Sequence, residues 1–337
     1  MAGAKVGGAE RFFERLVPAL TAAGVEQTAV IRRHAERAGA LRKAGVPTLE
    51  LGFGGPFDLA TRLQVPLIAR SFRPDLTLAW MNRAALRMPT GPWVRAARLG
   101  GYYDLKYYRR CQHLIANTAD IARWLGTQGW PAERVHVLPN FVDPPSGRPV
   151  PRGSLYTSAD QIVLLCLGRL HPNKAFDIAI RALADAPRAV LWLAGSGPEE
   201  ARLRALAAST GVADRVRWLG WRSDVGALLQ TADILLCPSR HEPLGNVVIE
   251  AWAAGTPVIA VASAGPAGLI RDGVDGRLVP IDDVAQLAEA IRALGDQPDV
   301  RARLAHVGLG RFRADFSQAV VVQAYCQLFE RLMQGQR

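Results

Sequence analysis

The chain has 337 residues, 49% of them hydrophobic and 21% charged, enough for two ordinary domains with sizeable cores and too apolar for a disordered chain. No apolar run reaches the roughly 18 residues that cross a bilayer. The amino terminus lacks the basic, apolar and small-residue succession of a secretory signal, so a cytoplasmic protein is expected. Cys111, Cys166, Cys237 and Cys326 are scattered without a Cys-x-x-Cys pair, which argues against disulfides or a thiolate metal site and for reduced, buried thiols. The net charge of +11 is uneven: residues 1–145 carry 20 Lys/Arg against 11 Asp/Glu, and residues 146–337 carry 21 against 19. A basic first half attracts an anionic membrane surface, an acidic lipid-linked acceptor or nucleic acid, and charge alone does not choose among them.

In chain order, Gly7 and Gly8 open a helix at Ala9-Glu10-Arg11-Phe12-Phe13. Apolar, β-rich runs then predict strands at 27–31, 75–79, 94–99 and 113–116, and a second set at 162–167, 189–194, 216–220, 234–237, 257–260 and 276–279. Longer amphipathic stretches alternate with them, the pattern of repeated βα units and hence of parallel sheets covered by helices on both faces. Between the two sets, residues 140–151 are rich in Pro and Gly without periodicity, as an interdomain linker is. Residues 317–333 read as one amphipathic helix. The expected fold class is α/β, with two Rossmann-like domains at 1–143 and 144–316.

The most informative segment is Ser239-Arg240-His241-Glu242-Pro243-Leu244-Gly245-Asn246-Val247-Val248-Ile249-Glu250. Leu235 and Leu236 close an apolar strand, Pro238 and Ser239 break it, and Val247, Val248, Ile249, Ala251 and Trp252 resume with helical density. Glu242 therefore lies on the strand-to-helix loop and Glu250 inside the helix. The helix amino terminus at Leu244, Gly245 and Asn246 offers unpaired N–H donors to a phosphate or sugar hydroxyl, and Gly245 permits close approach. Alone, two glutamates at this spacing are better explained by solvated side chains. Three further stretches accompany them: Gly7-Gly8-Ala9-Glu10, Gly168-Arg169-Leu170-His171-Pro172-Asn173-Lys174-Ala175-Phe176-Asp177, and Ala194-Gly195-Ser196-Gly197-Pro198.

Together these four ordered motifs resemble the retaining glycosyltransferases of the GT-B fold, family 4 (glycosyl transferases group 1), which include bacterial lipopolysaccharide and cell-envelope enzymes. The resemblance implies two Rossmann-like domains facing across a cleft, with the last helix, about 317–335, returning to brace the first. It assigns the donor diphosphate to Arg169 and Lys174 as fixed cations, Arg engaging two oxygens and Lys acting as a point charge. By the same resemblance Glu242 holds the transferred sugar's hydroxyls and supports its cationic transition state, and Glu250 accepts from the ribose hydroxyls. Gly7, Gly8, Gly195, Leu244, Gly245 and Asn246 contribute to donor binding. Gly220 and Trp221 lie where the family grips the base; Trp221 either stacks on it or belongs to the core. No Asp-x-Asp triplet is present, and Asp272 and Asp275 sit in a glycine-rich turn better explained structurally. The implied reaction needs no cofactor and no metal, and a UDP-sugar is the first choice of donor. Retention follows from the family, with front-face attack and a covalent intermediate both open.

Two departures qualify the resemblance. Only six residues precede Gly7, so the first strand of the amino-terminal domain is expected to be missing or truncated and the native start to lie upstream. Where the family often places a histidine, this chain has Arg98-Leu99-Gly100-Gly101-Tyr102-Tyr103. For the acceptor, Arg87, Arg95, Arg98, Lys106, Arg109 and Arg110 interleave with Trp93, Tyr102, Tyr103, Tyr107 and Tyr108. Aromatic faces stack on sugars and cations suit phosphorylated glycans or lipid headgroups, unless half of these tyrosines line a core. Asn82 and Arg83 are further acceptor candidates. The expected reaction moves a hexose to a lipid-linked, lipopolysaccharide or polysaccharide acceptor, at the inner face of the cytoplasmic membrane. A non-catalytic nucleotide-sugar or glycan-binding relative is the alternative. Nucleic acid is not an expected partner, because no recognition motif accompanies the charge.

Overall fold

The computed structural model describes residues 1–4, 7–55 and 57–335. It divides into one unit of Met1–Phe141 joined by the closing helix, and a second of Val142–Ser317. The first unit runs α1 (Gly8–Ala22), β1 (Ala29–Arg32), α2 (Ala35–Lys43), β2 (Thr48–Leu51), α3 (Leu59–Phe72), β3 (Leu76–Trp80), α4 (Met81–Leu86), β4 (Val94–Leu99), β5 (His113–Ala116), α5 (Ala119–Thr127) and β6 (Val135–Val137). The second runs β7 (Ile162–Leu167), α6 (Phe176–Ala184), β8 (Ala189–Ala194), α7 (Glu200–Ser209), β9 (Val216–Gly220), α8 (Val225–Thr231), β10 (Ile234–Cys237), α9 (Asn246–Ala254), β11 (Val258–Val261), α10 (Ala264–Leu269), β12 (Arg277–Val279), α11 (Val284–Asp296) and α12 (Pro298–Arg311). The closing helix is α13 (Gln318–Gln334).

In the second unit six parallel strands are ordered β12-β11-β10-β7-β8-β9. β7 and β8 are buried along their whole length, as strands covered by helices on both faces must be. In the first unit β3-β4-β5-β6 form one parallel sheet and β1-β2 a separate parallel pair. The expected strands are present, with bounds shifted by one or two residues at β1, β3, β11 and β12. β1 starts at Ala29, and just before it the Gln27 side chain turns to α1, its Nε2 donating to the Val17 carbonyl at 2.6 Å and the Thr21 hydroxyl at 2.7 Å. β2 and β6 escaped the sequence reading because each is a three- or four-residue run with a polar or charged member, Glu50 or His136.

Met1–Ala4 form no strand, but the first residue is laddered onto β1: its amine donates to the Val30 carbonyl at 2.7 Å and its carbonyl accepts from the Arg32 N–H at 2.9 Å. The first unit's core lies on both faces of the sheet. One cluster joins Phe12, Phe13, Leu16 and Leu20 of α1 to Val321, Tyr325, Leu328 and Leu332 of α13, and the other gathers Ala85, Met88, Leu99, Tyr108 and Leu114.

Arg98 and Trp93 correct the acceptor reading. Arg98 is 2% exposed, its guanidinium stacked over Phe12 at 4.5 Å and Trp80 at 5.0 Å, with Nε donating to the Tyr325 hydroxyl at 2.9 Å and Nη2 to Asn140. It ties α13 to β4 and is withdrawn from the surface. Trp93 and Tyr108 are also buried. Charge and aromatic spacing did not reveal this, because an arginine at an inward β-position can be satisfied by cation–π and hydroxyl partners.

Two stability measurements test these contacts. Arg98→Ala is expected to cost about 2–4 kcal/mol in denaturant titration, through lost packing and an orphaned Tyr325 hydroxyl, and Tyr325→Phe about 1 kcal/mol. His136, 3.2 Å from His113, is pushed down to about 4 by burial and then by the His113 and Arg331 charges. It is neutral in the fold, so the unfolded chain takes its proton first as pH falls below the ordinary value near 6.5. Its contribution is complete above that pH and is lost between about 6.5 and 4. The melting temperature should fall over that window, less steeply in His136→Gln.

Candidate active site

All loops that follow parallel strands leave the same edge of the sheet. In the second unit the chain moves from β7 outward through β8 to β9, then returns to place β10 on the other side of β7. The loops after β7 and β10 therefore diverge, leaving a crevice at the topological switch point, where open α/β sheets bind ligands. These two loops carry Gly168–Asp177 and Pro238–Gly245 respectively.

The β7 loop is shaped by backbone packing. A Cβ on Gly195 would stand 1.8 Å from the Gly168 carbonyl oxygen, and one on Gly197 would stand 2.3 Å from that of Leu170. The Gly168 N–H donates to Ala194 at 3.1 Å and the Leu170 N–H to Ser196 at 3.0 Å. Gly195 is thus required first by contact between the two loops. Beyond it, His171 caps the short turn Pro172–Lys174, its Nδ1 accepting from the Asn173 N–H at 3.3 Å. The His241 N–H donates to the Asn173 carbonyl at 3.3 Å and joins this turn to the β10 loop.

That junction sets the charged groups. The Lys174 ammonium donates to Glu242 Oε2, and the two side chains are only 25% and 13% exposed. Glu242 Oε1 accepts from the Gly245 N–H at 3.3 Å, so the carboxylate stands at the amino end of α9, where the helix dipole favours negative charge. Gly245, with φ of 83°, is the left-handed residue before α9, and its glycine is needed there. The Glu242 carbonyl accepts from the Gly265 N–H at 2.7 Å, and a Cβ at Gly265 would collide with it at 2.5 Å. Arg240 closes the loop from below: its Nη atoms meet the Asp177 carboxylate at 3.1 and 2.9 Å, and Nε meets Asp282 at 2.5 Å. Burial opposes the charge on Asp177, but the Arg240 hydrogen bonds outweigh it and hold that carboxyl below its usual range.

Arg169 is exposed beside Gly168, and Leu244 is buried under the turn. Asn246 and Glu250 are the first and fifth residues of α9, both partly exposed. Gly220 ends β9 in register with Ala194, at φ of 62°, and Trp221 beyond it is 67% exposed. The alternative of a core tryptophan is thereby removed. Arg222 is bound to Asp224 at 2.7 and 2.5 Å. Cys237, fully buried at the end of β10, has its thiol pushed up to about 11 by burial and then by Glu242, which makes it an inert neighbour and no nucleophile. Asp275 is structural as expected, buried against Arg271 at 2.7 Å and Arg311 at 3.0 Å, while Asp272 accepts from the Leu278 N–H.

The structure therefore brings Arg169, Lys174, Glu242, Leu244, Gly245, Asn246 and Glu250 onto the two switch-point loops and α9, with Gly195, Gly220 and Trp221 on the next two loops of the same sheet edge. Gly7 and Gly8 belong to the first unit, at the start of α1. Sequence reasoning missed the Lys174–Glu242 pair, since 68 positions separate its members. It also missed Ser263, whose buried hydroxyl has no partner among the described residues at the end of β11.

The acceptor candidates are dispersed within the first unit. Asn82 on α4 accepts from the buried Tyr108 hydroxyl at 2.8 Å, and Tyr103 lies over Met81 with its hydroxyl 3.7 Å from the sulfur. Tyr102 turns instead to α5, donating to Asp120 and packing edge-on to Trp124 at 5.5 Å. Burial and then the Asp120 bond raise its hydroxyl to about 12. Asn82 is thus a buried tyrosine's partner, while Arg83 and Tyr102 are the exposed members of the four.

Comparison with known proteins agrees with this geometry. Residues 152–308 match the family described as glycosyl transferases group 1, and residues 6–145 match Glycosyltransferase Family 4. The chain is 39% identical over 332 residues to the lipopolysaccharide core biosynthesis glycosyltransferase LpsE of Rhizobium meliloti (strain 1021), covering 96% of each chain. It is 37% identical to LpsD of the same organism, covering 96% of this chain and 95% of that one. Among solved structures, Anabaena Alr3699/HepE in complex with UDP superposes with a TM-score of 0.85 at 21% identity, covering 98% of both chains. With two parallel-sheet Rossmann-like domains and these matches along nearly its whole length, the chain belongs to the GT-B glycosyltransferases of group 1, family 4.

Proposed function

We propose that the protein is a retaining hexosyltransferase that moves a sugar from a UDP-sugar to a lipopolysaccharide-core or other lipid-linked glycan, with fixed cations in the role a metal plays elsewhere. The observation that carries this reading is the gathering of Lys174, Glu242 and the amino end of α9 beside exposed Arg169 at the switch point. When the bond between the anomeric carbon and the diphosphate breaks, its electron pair leaves with the phosphate oxygen and the sugar becomes cationic. Arg169 and Lys174 stabilise the phosphate charge, Lys174 exchanging its present carboxylate partner for a phosphate oxygen. Glu242 then turns to the sugar hydroxyls and favours the developing positive charge. The α9 N–H groups at Asn246 and beyond add donors to the diphosphate, Glu250 accepts from the ribose, and Trp221 offers its face to the base. Retention is carried over from the family. The UDP preference draws on the UDP complex of the structural relative, and the acceptor class on the names of LpsE and LpsD.

The acceptor site is proposed to lie at an anionic membrane surface on the cytoplasmic side. Among the described residues no helix is long and apolar enough to cross a membrane. α3 instead presents Leu59, Leu63 and Leu67, spaced by four and 62%, 67% and 60% exposed, beside the exposed Arg62 and Arg70. An apolar line flanked by cations suits a helix lying on acidic headgroups.

In metal-free buffer, calorimetric titration should show UDP binding in preference to GDP and ADP, weakened about tenfold or more in Glu250→Ala. Arg169→Ala should keep that binding and lose about 100-fold in kcat; UDP bound tightly without sugar transfer would instead support a non-catalytic binder. In a separate flotation assay, vesicles rich in phosphatidylglycerol should carry the protein, and Leu63→Asp with Leu67→Asp should release it.

A further inference from the structure

α9 carries Asn246 and Glu250, yet most of its own sequence leaves its orientation loosely specified. Val248, Ile249, Ala251 and Trp252 are fully buried. Apolar burial is non-directional, so it fixes how deeply the helix sits better than how it is rolled about its axis. The helix has three polar side-chain groups: Asn246, Glu250 and the indole N–H of Trp252. Asn246 and Glu250, four positions apart, share one face, and both are partly exposed. Trp252 lies about 200° round the helix from Glu250 and is turned into the core.

The indole meets an acceptor that is itself held on several sides. Trp252 Nε1 donates to the Asp275 carbonyl at 2.8 Å. Asp275 is completely buried, and its carboxylate keeps that carbonyl in place. Oδ1 accepts from the Arg271 N–H at 2.7 Å, and Oδ2 accepts from Arg271 Nε at 2.7 Å and from Arg311 Nη1 at 3.0 Å. The tryptophan ring is enclosed as well. The Arg311 guanidinium stands 5.1 Å from it and the Phe316 ring 6.0 Å away. A Cβ on Gly308 of α12 would stand 2.4 Å from its Cδ1. In an interior packed this closely the ring cannot follow a rolling helix, so the helix is held at its third residue from the end.

We propose that Asp275 and Trp252 are positioning residues for the donor: the buried Asp275 turn sets the roll of α9 through the indole and thereby aims the Glu250 carboxylate at the nucleotide. The proposal rests on the donor role given to Glu250 above. A roll of about 10° moves a side-chain tip at the outer radius of a helix by about 1 Å, beyond the roughly 0.5 Å within which a binding group has to be held. The turn therefore acts on the site from the far end of the helix, and neither residue touches the ligand.

Calorimetric titration of the full chain with UDP tests this. Trp252→Phe keeps a ring in the core and removes the N–H, and it is expected to weaken UDP about three- to fivefold with unchanged stoichiometry. In the Glu250→Ala background the same change should cost less than about 1.5-fold, because its effect passes through the carboxylate already removed. Asp275→Asn should weaken UDP in the same direction. Leu294→Ala, in the core cluster on the other face of the sheet, should lower the melting temperature and leave the UDP affinity unchanged. Unaltered affinity in Trp252→Phe, an equal loss in the Glu250→Ala background, or an equal loss in Leu294→Ala would each overturn the proposal and leave the donor site standing. An unsubstituted chain that binds no UDP would overturn the donor reading, and the proposal with it.

Discussion

β7 is hydrogen-bonded to β8 on one edge and to β10 on the other, and because the chain reaches those neighbours in opposite directions, the loops after β7 and β10 separate at the C-terminal edge. Every charged group of the candidate site hangs from that separation. Lys174 reaches Glu242 because the Asn173 carbonyl and His241 N–H join the two loops. Glu242 in turn stands at the amino end of α9 because Gly245 takes a left-handed conformation and the Gly265 N–H holds the Glu242 carbonyl. Arg240 has a supporting role in this arrangement: its bonds to Asp177 and Asp282 fix the loop that carries Glu242. The Lys174–Glu242 pair is partly buried, and the carboxylate also meets the amino end of α9 through the Gly245 N–H.

The first unit solves a different problem. α13, last in the chain, packs on α1, first in the chain, and the Arg98–Tyr325 bond inside that interface supplies a polar register that apolar packing alone does not specify. The price is a buried guanidinium, satisfied by two aromatic faces, a hydroxyl and an amide oxygen.

Legibility from sequence followed the range of the interactions. Strands such as 162–167 and 189–194 were readable because continuous apolar runs of that length have few other uses. β2 and β6 were not, because three or four residues containing Glu50 or His136 become strands only when a neighbouring edge is offered. Gly195 was readable as a turn, but the contact with the Gly168 carbonyl that demands it is visible only with both loops in place. Arg98, Trp93 and Tyr108 looked like a glycan-facing surface, and burial reversed all three.

The sequence by itself determined the α/β class, the order of the βα units and the motif residues, since each rests on local composition or spacing. Tertiary structure decided which charges meet: that Lys174 pairs with Glu242, that Trp221 is exposed while Trp93 is buried, and that Tyr102 turns to Asp120 while Asn82 is claimed by Tyr108. The physical reason is distance along the chain. Local patterns fix backbone conformation within a few residues, whereas burial and ion pairing depend on groups tens of positions apart that only the packed sheet brings together.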